Sequence, residues 1–156
     1  MGCLIVAALP VILWLLLDFL PVFSAYRARF GIRNGMQGYE VFRNVAQKYP
    51  GVSVMGDLCE GEEREPSSPG RPIGTFGYAG VVESVQVWQP RKSPPNERVD
   101  GLDEVIRKLE TLSLCGQMNF TFDGPSRWVG FRVHLDASGR VARVSGVEVR
   151  EKRIGP

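Results

Sequence analysis

The N-terminal segment is the most constraining feature of this 156-residue chain, because residues 3–17 form an unbroken apolar run. After Asp18 the apolar character resumes over residues 19–23. About 20 apolar residues in a helix span the hydrocarbon core of a bilayer, whereas a water-soluble domain has no use for such a stretch. We therefore predict a transmembrane anchor over residues 1–25, which contacts the membrane through residues 3–25.

Three interpretations of this segment compete. A cleaved signal peptide needs basic residues before its apolar run, and neither Lys nor Arg precedes this one. A lipoprotein cysteine follows the apolar run, whereas Cys3 precedes it. N-myristoylation expects Ser or Thr where Val6 stands. The interpretation that we prefer is an uncleaved, single-pass signal anchor.

The orientation of the anchor rests on opposing signals. Arg27, Arg29, Arg33 and Arg43 follow the apolar segment, and the positive-inside rule then places the remaining chain in the cytoplasm. A very short N-terminal tail before a soluble domain is instead typical of exported proteins of the cell envelope. We prefer the extracytoplasmic side, with a cytoplasmic domain as the alternative.

Two of the three cysteines, Cys59 and Cys115, lie outside the anchor. In an oxidising compartment they form one disulfide, whereas in a reducing compartment they remain two separate thiols. The sequence leaves both alternatives open, because the redox state follows from the side of the membrane.

The part of the chain over residues 26–156 is long enough for a single soluble domain with its own hydrophobic core. Two segments lack side chains to bury and are rich in Pro and charged residues, which predicts mobile loops at 60–72 and 89–98. The 19 basic and 16 acidic residues beyond the anchor are nearly balanced. This balance, without a basic face, gives no reason to expect a nucleic-acid partner.

Helical spacing of apolar residues predicts two amphipathic helices in this domain. The apolar positions of the first helix are Tyr39, Phe42, Val45, Ala46 and Tyr49. Those of the second are Leu102, Val105, Ile106, Leu109 and Leu112. We expect Asp100 to be the N-cap of the second helix and Gly116 to end it.

Alternating apolar residues predict the strands. Short strands are expected over residues 52–55 and 81–88, followed by a C-terminal β-meander through residues 120–122, 129–135 and 141–149. In the last strand the alternation slips at Gly146, which predicts a bulge. The predicted fold is α+β: an N-terminal transmembrane helix, then a small domain of two helices packed on an antiparallel sheet.

The polar face of the C-terminal hairpin holds the candidate binding residues. They combine one exposed aromatic residue with arginines, a composition that suits a protein–protein contact: Trp128, Arg132, His134, Arg140 and Arg143. The alternative is an ordinary solvated sheet face.

The sequence predicts no catalytic residue, no metal site and no small-molecule cofactor. His134 is the single histidine, and no cysteine has a partner at metal-ligand spacing. The leading hypothesis is a membrane-anchored, non-enzymatic protein that binds another protein or an envelope component, as an immunity protein, an inhibitor or an assembly accessory does. The alternatives are a cytoplasm-facing regulatory domain and a small thiol-dependent enzyme that uses Cys59 or Cys115 with His134.

Overall fold

A computed structural model describes residues 2–59 and 72–152. The helices are α1 (Gly2–Phe30), α2 (Gly38–Lys48) and α3 (Leu102–Glu110). The strands are β1 (Ser53–Cys59), β2 (Pro72–Ala79), β3 (Ser84–Trp88), β4 (Asn96–Asp100), β5 (Leu114–Asp123), β6 (Arg127–Leu135), β7 (Val141–Val144) and β8 (Glu148–Glu151). The mixed α+β class is confirmed. Most of the predicted loop 60–72 lies outside the described residues.

The strands form one antiparallel sheet in the order β4-β3-β2-β1-β5-β6-β7, and β8 pairs with β6 beyond β7. The return strand of the meander is therefore interrupted between Val144 and Glu148, where the sequence predicted a bulge at Gly146. The antiparallel register places Ala79, Ser53, Thr121 and Gly130 in one row across the sheet. The turn after β2 and the turn between β5 and β6 therefore lie at the same end of the sheet.

One face of the sheet forms the hydrophobic core with the helices. Phe120 and Phe131 pair across β5 and β6, and their stacked rings have centroids 5.1 Å apart. The ring of Phe42 in α2 is nearly perpendicular to that of Tyr78, with 5.0 Å between the centroids. Val105 of α3 belongs to the same buried cluster. Aromatic pairs of this kind stabilise a core beyond the area that they bury.

The helix α1 runs without a break across the predicted boundary at residue 25, and its second half joins the core through Ala25 and Ala28. The apolar segment and the rest of the chain are therefore not separated by a linker. A helix of 29 residues is about 43 Å long, which is more than the hydrocarbon core of a bilayer requires.

Two local expectations around α3 are wrong. Asp100 is not its N-cap: it ends β4 and pairs with Arg98, while Gly101 with a φ of 87° occupies the cap. Gly116 does not end the helix, which stops at Glu110. It lies instead in β5 with a φ of 61°, where the register against β1 shifts, and this positive φ is the conformation that glycine adopts at low cost.

Two strand boundaries also differ from the prediction. Residues 96–98 of the predicted loop 89–98 belong to β4. Although their side chains are polar, the backbone of β4 pairs antiparallel with β3, whose paired residues run from Ser84 to Trp88. Residues 81–83 do not begin a strand, because the chain turns between Gly80 and Glu83 before β3 starts. Both differences arise from pairing between strands, which side-chain alternation does not encode.

Cys59 and Cys115 form a disulfide with a Cα–Cα distance of 5.8 Å, joining the end of β1 to the start of β5. The two cysteines are 56 residues apart in sequence, so the bond closes a loop that includes the segment between β1 and β2.

We expect reduction of this disulfide to lower the free energy of unfolding by about 4 kcal/mol, because the unfolded chain regains the entropy of a long loop. Urea unfolding of the full chain in detergent micelles, with and without a reducing agent, measures the difference. The double variant C59S/C115S is the control, because the reducing agent should leave its unfolding unchanged. An equal midpoint for the oxidised and reduced wild-type protein would contradict a structural role for the bond.

Candidate partner-binding face and helix–domain junction

The face of the sheet opposite the helices is open among the described residues, and we call it the open face. Four of the five residues predicted for partner binding share it. Trp128, Arg132 and His134 alternate along β6, and Arg143 of β7 stands beside His134 in the register. The alternation of β6 buries the residues between them, so these side chains stand on one side of the sheet.

Arg140 is separated from the other four. Its Nη1 donates a hydrogen bond of 3.1 Å to the backbone carbonyl of Gly35, in the connection between α1 and α2. Its backbone also bridges to Gln37, just before α2. Arg140 therefore ties the β6–β7 turn to the helix layer instead of extending the open face.

The open face contains an open groove of about 390 Å³ above Gly130. A Cβ atom on residue 130 would clash with the backbone oxygen of Phe120, so glycine allows the close approach of β5 and leaves the groove without a side chain at its centre. Trp128 and Arg132 line it from β6, and Met55 lines it from β1. The groove is therefore lined by both apolar and charged side chains.

Several residues of the groove were missed by the sequence-based prediction. They come from β1, β5 and β8, which pair with the hairpin only in the folded sheet: Met55, Asn119, Thr121, Glu148 and Arg150. The alternation of β1 offered one signal, because Met55 is an apolar residue in a polar position and is exposed. Trp88 is a second exposed tryptophan on the open face, on β3 and outside the groove.

Hydrogen bonds position the cationic side chains. The Nε of Arg132 donates to the Oδ1 of Asn119 at 2.8 Å, and Arg150 forms an ion pair of 3.0 Å with Glu148. Trp128 packs under Lys152, whose Nζ lies 5.7 Å from the ring centroid. The aromatic ring and both guanidinium groups therefore each contact another polar or charged side chain at the surface.

His134 lies beside two arginines. Its Nε2 is 3.3 Å from Nη2 of Arg143, and a guanidinium only donates, so this contact favours a neutral ring with Nε2 as the acceptor. The pKa of His134 lies below its ordinary value of 6.5, because partial burial disfavours the charged ring and because Arg143 and then Arg132 repel a further positive charge.

The alternative of a thiol enzyme needs a free thiol close to His134. Cys59 and Cys115 are both buried and bonded to each other, so neither sulfur is a thiolate nucleophile in this state. Within residues 2–59 and 72–152, no group of three or more His, Cys, Asp or Glu side chains is placed to hold a metal ion.

The junction between α1 and the sheet is built around a buried carboxylate. Asp18 is 1 % exposed. Its Oδ1 accepts hydrogen bonds from the backbone N–H (3.0 Å) and the hydroxyl (2.7 Å) of Ser126, and its Oδ2 forms an ion pair of 2.7 Å with Arg127. The Arg127 guanidinium also lies 5.4 Å from the ring centroid of Phe19. Ser126 in the β5–β6 turn and Arg127 at the start of β6 therefore compensate the one charged side chain within residues 3–25 of the helix.

The same helix is held a second time near its C-terminus. The Nε of Arg29 donates to the carbonyl of Ser145 at 2.5 Å, and the backbone N–H of Ser145 donates to the carbonyl of Arg132. From Asp18 to Arg29 the helix rises about 16 Å, and β6 covers about 17 Å from Arg127 to Arg132. Because the two points of contact are about equally far apart on the helix and on the strand, α1 lies nearly parallel to β6. The part of α1 before Asp18 therefore projects beyond the end of the sheet.

This projecting part is apolar and exposed. In the part of the chain that the structure describes, one helix is long and apolar enough to cross a membrane. It comprises Leu9–Phe30, which includes most of the projecting part and has 22 residues and a mean hydropathy of 1.9. Leu13 and Leu16 are examples of its exposed side chains. Comparisons with protein families, with curated proteins and with solved structures return no match to this chain.

We expect the variant Asp18→Asn to loosen the junction, because Arg127 then lies against the helix without a counter-charge. The measurement is pulsed electron paramagnetic resonance between spin labels at Leu13→Cys on α1 and Ala137→Cys in the β6–β7 turn, with Cys3 replaced by alanine. The distance distribution should be narrow with Asp18 and broad in the variant. Asp103→Asn, which removes an exposed carboxylate from α3, is the matched control and should leave the distribution narrow.

We expect acidification to destabilise the protein through His134. Its pKa is lower in the folded protein than in the unfolded chain, so below pH about 6.5 the unfolded chain binds the proton first. The contribution of His134 to the free energy of unfolding is therefore fully present above pH about 6.5. It decreases as the pH is lowered from about 6.5 to the pKa of His134 in the folded protein. Because the chain has one histidine, a single imidazole signal in an NMR titration reports it. Arg143→Gln should raise that pKa, whereas a wild-type value at or above 6.5 would contradict the argument.

Proposed function

We propose that this protein is a single-pass membrane protein whose α+β domain lies on the extracytoplasmic side and binds a protein partner through the open face, without enzymatic activity. The observation that carries the proposal is the burial of Asp18 against Ser126 and Arg127. A signal peptide leaves the mature protein, so it has no reason to complement a charge of the folded domain. The small residue Ser24 is the best available cleavage site after the apolar segment. Cleavage there would expose Arg127 and remove Val22 from its place against the core.

The side of the membrane is proposed from the disulfide. Disulfides persist in oxidising compartments and are rare in the cytosol. Arg27 and Arg29, which follow the apolar segment, favour the opposite orientation by the positive-inside rule. Arg29 is already engaged with the carbonyl of Ser145, however, so it belongs to the folded junction and not to a free juxtamembrane segment. The arginines that follow the apolar segment are therefore weaker evidence for a cytoplasmic domain.

Partner binding is proposed from the composition of the open face. Among the described residues no helix covers this face, and the groove above Gly130 lies beside an exposed tryptophan, an exposed methionine and an arginine. Aromatic, methionine and arginine side chains are enriched in the centres of protein interfaces. The second candidate, a regulatory domain in the cytoplasm, rests on the arginines after the apolar segment and uses the same face.

Protease protection in sealed membrane vesicles of known orientation tests the topology. We expect the domain to resist protease in inside-out vesicles and to be digested in right-side-out vesicles, with Cys59 and Cys115 resistant to thiol reagents until reduction. Digestion in inside-out vesicles together with free, reactive thiols would establish the cytoplasmic alternative. Recovery of a soluble chain that starts after Ser24 would instead establish a cleaved signal.

Site-specific photo-crosslinking in the cells that make the protein tests the open face. A photoreactive residue in place of Met55 and one in place of Asn119 should each crosslink to the same partner protein. Trp128→Ala should lower the yield of this crosslink at least tenfold, in line with the loss of about 1.4 kcal/mol or more of binding free energy that removal of a central aromatic residue brings. Trp88→Ala is the matched control, because Trp88 and Trp128 are both 48 % exposed on this face. Equal loss with both variants, or no adduct from the groove, would overturn this part of the proposal.

A further inference from the structure

The turn between β2 and β3 exposes two neighbouring apolar residues. Val81 is 85 % exposed and Val82 is 59 % exposed. Tight turns between antiparallel strands use Gly, Asn, Asp or Ser, whereas β-branched residues fit them poorly. Two consecutive valines at this position contribute nothing to the core of the domain. Their apolar surface can therefore be buried only by a contact outside the domain.

The position of this turn in the fold points to that contact. Residues 80–83 follow Ala79, and Ala79 lies in the same row of the sheet as Thr121 and Gly130. The β5–β6 turn, which binds Asp18, begins two to three residues beyond that row. Both turns therefore lie at the end of the sheet from which α1 projects.

The apolar surface of α1 defines how far a membrane reaches along the helix. On the side that faces away from the domain, apolar exposure continues past Asp18 to Leu20 and Phe23. A bilayer that covers these side chains extends about 3–8 Å beyond the level of Asp18, given the rise of 1.5 Å per residue. The β2–β3 turn, whose tip lies one to two residues short of Arg127 along the strand direction, is within this distance and then lies in the interfacial layer of the membrane.

We propose that the turn containing Val81 and Val82 inserts into the lipid interface and forms a second membrane contact of the domain. This inference rests on the proposed membrane anchor. Because the Asp18–Arg127 pair joins α1 to the sheet, the contact at Val81 and Val82 limits the tilt of the whole domain. Trp128 and Lys152, which meet at the same end of the sheet, have the residue types that favour the boundary between lipid and water.

The test uses the full chain in phosphatidylcholine nanodiscs, with Cys3 replaced by alanine and single spin labels at introduced cysteines. Val82→Cys probes the turn, Leu13→Cys is the reference in the anchor, and Ala137→Cys, in the exposed turn at the opposite end of the sheet, is the matched aqueous control. Power saturation compares the accessibility of each label to oxygen, which concentrates in lipid, and to a water-soluble nickel complex.

We expect the label at position 82 to resemble the label at position 13, with oxygen access exceeding nickel access, and the label at position 137 to show the reverse. If position 82 behaves as position 137 does while position 13 reports lipid, the second contact is wrong and the anchor stands. If position 13 also reports water, the proposed anchor fails and the second contact fails with it. The fold is checked on a Val82→Ser chain labelled at positions 13 and 137. If that chain loses the narrow distance distribution, Val81→Cys replaces Val82→Cys, and the same outcomes hold.

Discussion

The contact of Asp18 with Ser126 and Arg127 determines how the rest of the molecule is arranged. An isolated carboxylate is costly in an apolar helix, and it persists only where a partner charge and hydrogen bonds compensate its desolvation. Here the β5–β6 turn supplies both. The helix therefore packs along β6 in a single register, and its apolar N-terminal half extends beyond the folded domain. A flexible linker would have left the orientation of the domain undefined.

The two faces and the two ends of the sheet carry different features of the molecule. One face holds the core with the three helices, and the other carries the groove above Gly130 with Trp128 and Arg132. The disulfide closes the end of the sheet away from the projecting helix, where β1 finishes and β5 begins. The opposite end carries the turns that the proposed membrane contact uses. A partner on the open face would thus meet a surface held at a constant angle to the bilayer.

Local patterns predicted those elements that a single segment specifies. The apolar spacing from Tyr39 to Tyr49 predicted α2, and the alternation around Val133 predicted β6. Four of the five candidate partner residues lie together because they alternate within the hairpin. Predictions failed where neighbouring strands decide the structure: β4 forms from polar residues, and Gly116 supports a bulge against β1. Arg140 does not belong to the open face, because its guanidinium donates a hydrogen bond to the carbonyl of Gly35, more than 100 residues away in sequence.

The sequence by itself determined that the chain begins with an apolar helix and continues as an α+β domain, because hydrophobic periodicity is a property of each segment and needs no partner. Tertiary structure decided what these segments do together. Only in the fold does Asp18 meet Arg127, Cys59 meet Cys115, and Met55 come beside Trp128 to form a groove. These contacts join residues separated by more than 50 positions, and their energies depend on burial and on geometry between strands, which no local pattern contains.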